Sequence, residues 1–457
     1  MTALNIGMSL LKEIESLGNF EAYIVGGAPR DIMIGQESDD IDIATNCPME
    51  IIEENFRTFD IGRSKKHGVL AVLYKGESFD VAQFRADGDY SDGRRPDSIE
   101  IIKGFEDDAA RRDFTVNSLA MNSRGDIIDY FGGIPDIFQR IIRTVGDPSE
   151  RFQEDYLRMM RAARFAAMED FSLEKMTRRS IRKLFRLVNK VKPERIHMEL
   201  VKAAKKPGPQ FARFILHLDD LKLLNQILPE VSAMKYFQHD MQHHPEGPTV
   251  FDHTIACLEV MDDAPYQSKL AALFHDIGKC VSFQEDKYGW KMTYHRHERY
   301  SEPLTRDICN RLRFSDFDKE AMMYAVKNHM KFHNILKMKP SKIARLVNHP
   351  HFGTLADTCR ADEFSRGEKF MYHGQFKRII EKAHEIRDRW EARVINHSIK
   401  LVDGHRIIEL TGLSGRAICD VKRAVEDRIM DKRLDPDDLK LVDKVILLEA
   451  KKQQEDQ

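Results

Sequence analysis

The chain has 457 residues, with 72 lysines and arginines against 74 aspartates and glutamates, and a formal net charge of −2. This length predicts about two to four domains, and the 42% of hydrophobic residues is enough for real cores. The lack of a membrane-spanning apolar run excludes an integral membrane protein. The six cysteines are scattered without a CxxC pair, which excludes a disulfide framework. The scattered cysteines also indicate a reducing, cytoplasmic setting. Residues 1–18 predict an amphipathic helix and no signal peptide.

β-prone runs alternate with short helical patterns over roughly the first third of the chain, which predicts an α/β domain. The predicted strands cover 22–27, 41–45, 68–74, 78–85, 98–104 and 126–131, and the predicted helices cover 6–17, 49–56 and 107–121. From residue 149 onward the pattern is helical almost everywhere, with prolines as breaks. A His-rich, loop-like stretch at 236–252 introduces a further helical domain, and a helical tail follows residue 366.

The segment IVGGAPRDIMIGQESDDIDIAT at 24–45 begins as a buried strand and then turns. Gly26 and Gly27 have no Cβ, so the backbone there can turn tightly and approach a ligand closely. Pro29 suits the first turn of a short helix, whose free N–H groups would hold an anion together with Arg30. These residues predict a grip on phosphate groups.

Acidic side chains follow in the next predicted strand. Asp40 and Asp42 are two residues apart and therefore point to the same face of that strand. Their carboxylates repel each other, and Mg²⁺ or Mn²⁺ bound together with substrate phosphates would relieve the repulsion. Asp80 lies in a later strand and is either a third carboxylate, holding the metal that activates an attacking hydroxyl, or a solvent-facing strand residue. Together with the phosphate grip, these residues predict a nucleoside triphosphate site.

The order GGxxRD followed by DxD resembles the signature of polymerase-β-type nucleotidyltransferases. VGGAPRD with DDIDIAT resembles in particular the class II tRNA nucleotidyltransferase and poly(A) polymerase family. The resemblance implies a polymerase-β-like head that uses Mg²⁺. The segment RRDFTVNSLAMN at 111–122 resembles the family's second motif, and we expect it to lie on a helix. The resemblance implies that Arg112, Asp113 and Asn117 grip the ribose and phosphates of the nucleotide.

Two further segments match family features. Asp87–Asp97, with Arg94 and Arg95, matches the flexible loop that helps such enzymes add the final A, so its presence favours an enzyme that can incorporate AMP. Asp129 and the Gly132–Gly133 turn fit the family's hinge motif before the neck.

The pattern EDYLRMMRAARFAA at 154–167 predicts a helix with a nucleobase-reading face. Asp155 and Arg158 are i and i+3 neighbours, so a carboxylate acceptor stands beside guanidinium donors. This order complements the Watson–Crick edges of cytosine and adenine, whereas uracil and guanine would leave buried polar groups unpaired at a cost on the order of 10⁴-fold. Arg161 and Arg164 continue at steps of three and could reach the base or the triphosphate. The alternative is a solvated ion pair, but the resemblance implies a protein template that selects CTP and ATP.

A basic block extends from 175 to 206, with twelve Lys and Arg against two acids. Contact with a nucleic-acid backbone is its natural use, so binding should weaken steeply with salt. Aromatic residues are sparse in the block, which favours a duplex or folded RNA over a stacked single strand. The alternative is a solvated charged helix, but the resemblance implies that this region leads toward the acceptor arm of tRNA.

A second metal centre is indicated by histidines and aspartates spread over about 110 residues. An adjacent His-Asp pair inside an apolar helix is costly to bury unless something binds it. The candidate ligands are His253, His275, Asp276, His297, His329, His333 and Asp362. Asp357 competes with Asp362 for the last place, but ADEFSR looks more like the equivalent segment of HD-bearing tRNA nucleotidyltransferases.

The order H…HD…H…H…D resembles the HD phosphohydrolase domain, in which His and carboxylate ligands hold one or two divalent metals that activate water. The resemblance implies phosphatase and 2′,3′-cyclic phosphodiesterase activities, with either a transition metal or Mg²⁺ in the site. The sequence leaves open whether the centre is active or structural.

These patterns predict an α/β head followed by an all-α neck, body, HD domain and tail. The expected domains are the head (1–147), a nucleotide- and RNA-binding neck and body (148–244), the HD domain (245–365) and an RNA-binding tail (366–457). The predicted function is addition or repair of the 3′-terminal CCA of tRNA from CTP and ATP. An A-adding enzyme or a poly(A) polymerase is the alternative within the class, and an RNA phosphohydrolase with a nucleotide-binding head is the alternative outside it. The sequence leaves the oligomeric state open.

Overall fold

The computed structural model describes residues 2–38, 40–59, 68–88, 99–239, 245–285, 292–367, 373–395, 402–431, 433–435 and 438–455. The chain forms two compact units, Met1–Ser232 and Ala233–Gln457. Among the described residues, every helix is too short or too polar to span a bilayer.

The strands of the first unit are β1 (Ala22–Val25), β2 (Asp42–Thr45), β3 (Arg57–Phe59), β4 (Val69–Tyr74), β5 (Glu77–Gln83), β6 (Arg85–Asp87), β7 (Ile99–Ile101), β8 (Ala120–Met121), β9 (Ile127–Ile128), β10 (Ile141–Ile142) and β11 (Ser172–Leu173). Seven of them form one sheet in the order β3-β4-β5-β2-β1-β8-β9. Within this sheet β2 and β5 run parallel, and the other neighbouring strands run antiparallel. Each predicted strand overlaps an observed one, and the extra strands of this unit, β3, β6, β8, β10 and β11, are only two or three residues long.

The helices of the first unit are α1 (Ala3–Ser16), α2 (Gly27–Met33), α3 (Met49–Asn55), α4 (Phe105–Ala110), α5 (Gly133–Gln139), α6 (Pro148–Glu154), α7 (Arg158–Glu169), α8 (Lys175–Leu184), α9 (Pro193–Ala204), α10 (Gly208–Asp220), α11 (Leu224–Ile227) and α12 (Pro229–Ala233). On one face of the sheet, Leu10 and Ile14 of α1 share a buried cluster with Ile43 of β2. Ala44, the next residue, packs in a second cluster with Phe84. The alternation along β2 therefore places Asp42 on the face opposite the α1 cluster.

The helix predicted over 107–121 is wrong, and so is the helical placement of its nucleotide-gripping motif. α4 ends at Ala110, and a short 3₁₀ turn, Thr115–Asn117, leads into β8. The Asp113 carboxylate accepts a hydrogen bond from the backbone N–H of Phe114 at 2.9 Å. Such local side-chain bonds compete with the helical pattern, which explains the departure from a helix.

The single helix predicted over 154–167 is also wrong. α6 ends at Glu154 and α7 begins at Arg158, so Asp155 lies in the break with an extended backbone, φ −141° and ψ 106°. Its carboxylate accepts a hydrogen bond from the N–H of Leu157 at 3.1 Å, which offers the backbone an alternative to the helix.

The second unit is mainly helical. Its elements are α13 (Val250–Glu259), α14 (Tyr266–Phe274), α15 (Lys279–Ser282), β12 (Gln284–Glu285), β13 (Met292–Thr293), α16 (Glu298–Arg311), α17 (Asp316–Phe332), α18 (Pro340–Val347), α19 (Phe352–Phe364), α20 (His373–Ile395), α21 (Gly404–Thr411), α22 (Arg416–Met430) and α23 (Leu439–Glu455). α13 packs against α14 and α19, and α17 packs against α14, α16 and α19. The sequence placed the His275–Asp276 pair inside a helix, but α14 ends at Phe274. The pair therefore lies just past the helix end.

The α/β first part and the helical remainder confirm the predicted fold class.

Candidate active sites

A cavity of about 520 Å³ in the first unit gathers most of the predicted head residues. Its lining consists of Gly26, Gly27, Arg30, Asp40, Asp42, Arg111, Arg112, Asp113, Asn117, Asp155, Arg158, Arg161, Phe165 and Lys202. Asp80 and Arg164 are the two predicted head residues outside this lining. Residues from the sheet and from α7 therefore face one space, which is large enough for a small-molecule ligand.

Three carboxylates lie close together at the sheet. Asp42 on β2 and Asp80 on β5 are direct neighbours in the parallel ladder, so their side chains share a face. Burial raises the pKa of Asp42 to about 6, with the negative charges of Asp40 and Asp80 adding to the effect and Arg112 opposing it. Crowded carboxylate oxygens of this kind fit Mg²⁺, because a hard divalent cation prefers oxygen ligands and relieves the repulsion.

Gly26 leaves room beside this carboxylate group. Its φ of +79° lies in the left-handed region, which L residues with a side chain rarely adopt. A Cβ added there would lie 3.1 Å from Asp42 Oδ2. The glycine predicted for close ligand approach is thus required by both its conformation and its neighbour.

Arg30 is buried and held by several partners. Its guanidinium donates to Asp31 at 2.6 Å and to Asn117 Oδ1 at 2.7 Å, and it lies 3.2 Å from Glu169. Its charge also lies 5.3 Å from the centre of the Phe165 ring. The predicted phosphate-gripping residue is therefore fixed in place at the wall of the cavity.

Asp113 joins the motif after α4 to helix α7. Its carboxylate accepts from Arg161 Nε at 2.7 Å and from Asn117 Nδ2 at 3.2 Å. Burial alone would raise the pKa of Asp113, but the charges of Arg161 and Arg158 outweigh it and hold the pKa below its usual range. Arg164 of the same helix donates to Glu199 at 2.6 Å and is not part of the cavity lining.

The predicted base-reading residues both line the cavity but are anchored separately. Asp155 accepts two hydrogen bonds from Arg195, at 2.9 and 2.7 Å. Arg158 pairs with Glu154 and donates to the carbonyl of Arg111 at 3.0 Å. The acceptor and the donor are thus held by other side chains, and not by each other as a single helix would have placed them.

Several lining or anchoring residues were not predicted. Arg195 is 40 positions from Asp155 and shows no local pattern, so only the tertiary structure reveals the pair. Phe165 lies under three guanidinium groups, of which that of Arg164 is nearest at 4.3 Å from the ring centre. Lys202 belongs to the basic block and was not singled out within it.

The basic block is divided among α8, a 3₁₀ turn and α9. Arg178 donates two hydrogen bonds to Asp220, at 2.9 and 2.6 Å, and Arg182 also pairs with Asp220. Part of the block therefore stabilises the helical body. Arg195 anchors the cavity residue Asp155, and Lys202 lines the cavity itself.

The hinge motif forms a tight turn. The Asp129 carboxylate accepts from the backbone N–H groups of Gly133 and Ile134, both at 2.9 Å. A Cβ on Gly133 would lie 2.3 Å from the Thr115 carbonyl oxygen, so only glycine fits this approach. Most of the predicted loop at 87–97, including Arg94 and Arg95, lies outside the described residues.

The second unit brings all seven predicted HD ligands into one cluster, in which every member except His333 is buried. His253 Nε2 lies 3.2 Å from Asp362 Oδ1 and 3.8 Å from Asp276 Oδ2. Asp276 also lies 3.2 Å from His275 Nε2 and 3.1 Å from His297 Nε2. Burial alone would raise the pKa of Asp276, but His275 and Lys279 outweigh it and hold the pKa well below its usual range.

The remaining predicted ligands lie in the same cluster. His297 and His329 have their Nε2 atoms 2.9 Å apart, and His333 Nε2 lies 3.1 Å from Asp362 Oδ2. Burial, reinforced by the neighbouring histidine charges, lowers the pKa of His329 to about 3, which keeps its imidazole neutral. The competitor Asp357 accepts from the Ser268 hydroxyl at 2.9 Å, whereas Asp362 lies in the cluster.

The histidines share an orientation suited to metal binding. In four of the five histidines Nδ1 faces an acceptor. The acceptor of His253 is Glu246, at 2.5 Å, and those of His275, His297 and His329 are backbone carbonyls. Occupied Nδ1 atoms turn the Nε2 atoms toward the cluster, which is how partners outside the ligand shell orient metal-binding histidines.

The ligand atoms form two groups that fit a metal ion. One consists of His253, Cys257 and His275, and the other of Asp276, His297 and His329. His275 Nε2 is buried and, in the part of the chain that the structure describes, makes no hydrogen bond, whereas Asp276 Oδ2 pairs with Lys279 Nζ at 2.6 Å. A buried polar atom without a partner is costly, and a bound cation would satisfy it. Cys257 was not predicted, although it stands four residues after His253 and so on the same helical face.

Comparison with known proteins defines the class. Residues 22–143 match the family model of the poly A polymerase head domain, and residues 170–235 match that of the probable RNA and SrmB-binding site of polymerase A. Residues 250–426 match the HD domain model. The chain thus carries a poly A polymerase head, an RNA-binding segment and an HD domain, which confirms the resemblance stated from the sequence.

The more particular likeness is to CCA-adding enzymes. Those of Lactobacillus johnsonii and Bacillus licheniformis are each 45% identical, over 213 and 199 residues, or 46% and 43% of this chain and 52% and 49% of theirs. The chain therefore spans about half the length of the curated relatives it matches.

Solved structures show the same likeness. The Bacillus stearothermophilus CCA-adding enzyme in complex with CTP matches with a TM-score of 0.69 and 23% identity over 100% of both chains. The Thermotoga maritima CCA-adding enzyme complexed with tRNA_CCA matches with a TM-score of 0.55 and 17% identity, over 96% of this chain and 94% of that one. The chain has the fold of these enzymes.

Proposed function

We propose that this chain is a template-independent tRNA nucleotidyltransferase that adds or repairs the 3′-terminal CCA with CTP and ATP. One observation carries the proposal: a single cavity is lined both by Asp40 and Asp42 and by Asp155 and Arg158. A single bound nucleotide could therefore meet the carboxylates with its phosphates and the other pair with its base. The relatives named CCA-adding enzymes, with structures holding CTP and ATP, support the same substrates.

The head residues have distinct roles in this proposal. Asp40, Asp42 and Asp80 would hold Mg²⁺, which, when bound, supplies charge neutralisation and hydroxyl activation. Gly27 and Arg30 seat the triphosphate at the wall of the cavity. The tRNA 3′-hydroxyl attacks the α-phosphate and pyrophosphate leaves, a reaction that depends on positioning and charge more than on covalent chemistry.

Nucleotide grip and base choice follow from the anchored side chains. Arg112, Asp113 and Asn117 face the cavity beside the carboxylates and would grip the ribose and phosphates, with Arg161 of α7 supporting Asp113. Asp155, held by Arg195, offers a fixed acceptor to the amino group of cytosine or adenine. Arg158, held by Glu154, offers a fixed donor to the adjacent ring nitrogen. Uracil and guanine reverse this order and would leave both groups unpaired.

A second activity is favoured by the buried His and Asp cluster of the HD domain. We propose a metal-dependent phosphatase or 2′,3′-cyclic phosphodiesterase centre, because the ligand atoms converge and His275 Nε2 has no hydrogen bond among the described residues. The ligands would be His253, His275, Asp276, His297, His329, His333 and Asp362. Imidazole donors favour a transition metal over Mg²⁺ in such a site.

The test uses tRNA transcripts that end before CCA, after C and after CC. CTP and ATP are given separately and together, and product lengths are read on a sequencing gel. Stepwise completion to CCA is expected, whereas A-only extension would favour the A-adding alternative and long A tails a poly(A) polymerase. Asp42→Asn and Asp276→Asn, assayed for addition and for phosphate release, should each lose one activity. No extension by the wild-type chain would refute the proposal.

A further inference from the structure

We propose that Cys257 is a ligand of the metal held by the HD centre, so that this centre takes a thiophilic transition metal such as Zn²⁺. The inference rests on the proposed metal centre and deepens it. It does not depend on whether that centre is hydrolytically active.

The position of the sulfur is that of a ligand. Cys257 and His253 both lie on α13, four residues apart, and both are buried. In a tetrahedral site, a sulfur about 2.3 Å and a nitrogen about 2.0 Å from the ion lie about 3.5 Å apart. The separation between Cys257 Sγ and His253 Nε2 is 3.5 Å. The ligand atoms of His253, Cys257 and His275 all lie within 4.8 Å of one another.

A second observation points to an ion at this place. His275 is 1% exposed, and its Nδ1 faces the Ala272 carbonyl at 2.7 Å. Its Nε2 lies 3.2 Å from Asp276 Oδ2 and makes no hydrogen bond among the described residues, whereas Asp276 Oδ2 pairs with Lys279 Nζ at 2.6 Å. A buried imidazole nitrogen without a hydrogen-bond partner is costly, and a bound cation would satisfy it.

The partner of His253 supports the same assignment. Glu246 lies 2.5 Å from His253 Nδ1, so the carboxylate fixes the ring with Nε2 toward Cys257 and Asp362. A carboxylate behind a ligating histidine also raises the basicity of the ligand.

The ligand atoms of the site determine which kind of metal ion it prefers. A thiolate is a soft ligand, which selects Zn²⁺ and related transition metals against Mg²⁺. On coordination the Cys257 thiol loses one proton to solvent, and the sulfur lone pair forms the bond to the ion. The oxygen ligands Asp276 and Asp362 complete a mixed N, O and S site.

The experiment loads the metal-stripped full chain with Co²⁺ under reducing, oxygen-free conditions. A thiolate–cobalt charge-transfer band in the near ultraviolet is expected for the wild type and should be lost in Cys257→Ser. The matched control is Cys309→Ser, because Cys309 is equally buried on α16 of the same unit but outside the ligand group. The control should keep the band.

Two further measurements make the outcome independent of one variant. X-ray absorption of the Zn²⁺-loaded wild type should show one sulfur scatterer at about 2.3 Å. Zn²⁺ affinity should fall at least about tenfold in Cys257→Ser, while circular dichroism shows an unchanged fold. If Cys257→Ser fails to fold, the wild-type absorption spectrum alone decides.

The outcomes separate the inference from the proposed function. Metal bound without a sulfur signature, or a band that persists in Cys257→Ser, overturns the cysteine assignment and leaves the HD centre standing. A second unit that binds no transition metal at all overturns both.

Discussion

Arg195→Ala tests whether the acceptor for the base amino group depends on its anchor. Arg195 makes two hydrogen bonds to Asp155, at 2.9 and 2.7 Å, and the side chains are only 23% and 16% exposed. Hydrogen bonds to charged groups contribute about 1.5–3 kcal/mol, and partial exposure places the contribution of this anchor at about 2 kcal/mol. A loss of about 2 kcal/mol corresponds to a fall of about 30-fold in kcat/KM for CTP and ATP.

The assay measures single-nucleotide addition to matched tRNA transcripts with CTP, ATP and UTP. UTP addition should change less, because uracil does not present the amino group that Asp155 accepts, so the CTP/UTP preference should narrow. Arg178→Ala is the matched control, since Arg178 makes two similar bonds to Asp220 outside the cavity lining. An unchanged CTP/UTP preference in Arg195→Ala, or an equal loss in Arg178→Ala, would refute the reasoning.

Four further outcomes are expected. Asp42→Ala should abolish nucleotide addition in the gel assay while tRNA binding, measured by filter retention, stays intact; retained incorporation would contradict the metal assignment. Gly133→Ala should lower the free energy of unfolding of the head by about 1–3 kcal/mol in urea titrations, because its Cβ would meet the Thr115 carbonyl, 2.3 Å away. Gly104→Ala is its control, with nothing within 4 Å of the added Cβ, and equal losses would sink the packing argument. Chelation should abolish phosphate release at the HD centre, and readdition of Zn²⁺ or Co²⁺ should restore it. Activity that survives exhaustive dialysis against the chelator would argue against a metal centre. The affinity for tRNA should fall at least about tenfold between 50 and 200 mM salt, as for a protein making several phosphate contacts, and a flat salt profile would argue against backbone binding.

The head strands were predictable because their signals are local. Short apolar or alternating runs mark β1, β2, β4 and β5, and their buried residues contribute to the two clusters on either face of the sheet. The two acidic residues of the cavity lining could be predicted for the same reason, since Asp40 and Asp42 lie in one short segment.

The errors arose where side chains bond the backbone. Asp113 and Asp155 each accept a hydrogen bond from a nearby N–H, and in both places a predicted helix is interrupted. Helical periodicity continues through Asp155 in the sequence, so the break shows only in the structure. Arg195 could not have been paired with it, because 40 residues separate them and no pattern links the two.

The clustered histidines and aspartates of the second unit were predictable as residue types, but the neighbouring Cys257 and Glu246 were not. Cys257 repeats the helical spacing from His253, which a search for sulfur ligands would have found. Glu246 precedes His253 by seven residues in an irregular segment, and no regular spacing relates them.

Strand β2 is only four residues long, and its pairing has an evolutionary consequence. Asp42 stands opposite Val25 on one neighbour and Asp80 on the other, while Ile43 and Ala44 fill opposite cores. Adding or deleting one residue here would move the side chains of the strand to the opposite face of the sheet. Asp42 would then point away from the face that it shares with Asp80. Insertions and deletions should therefore be confined to the connections before and after this strand, and homologues should keep its length more strictly than its individual apolar residues.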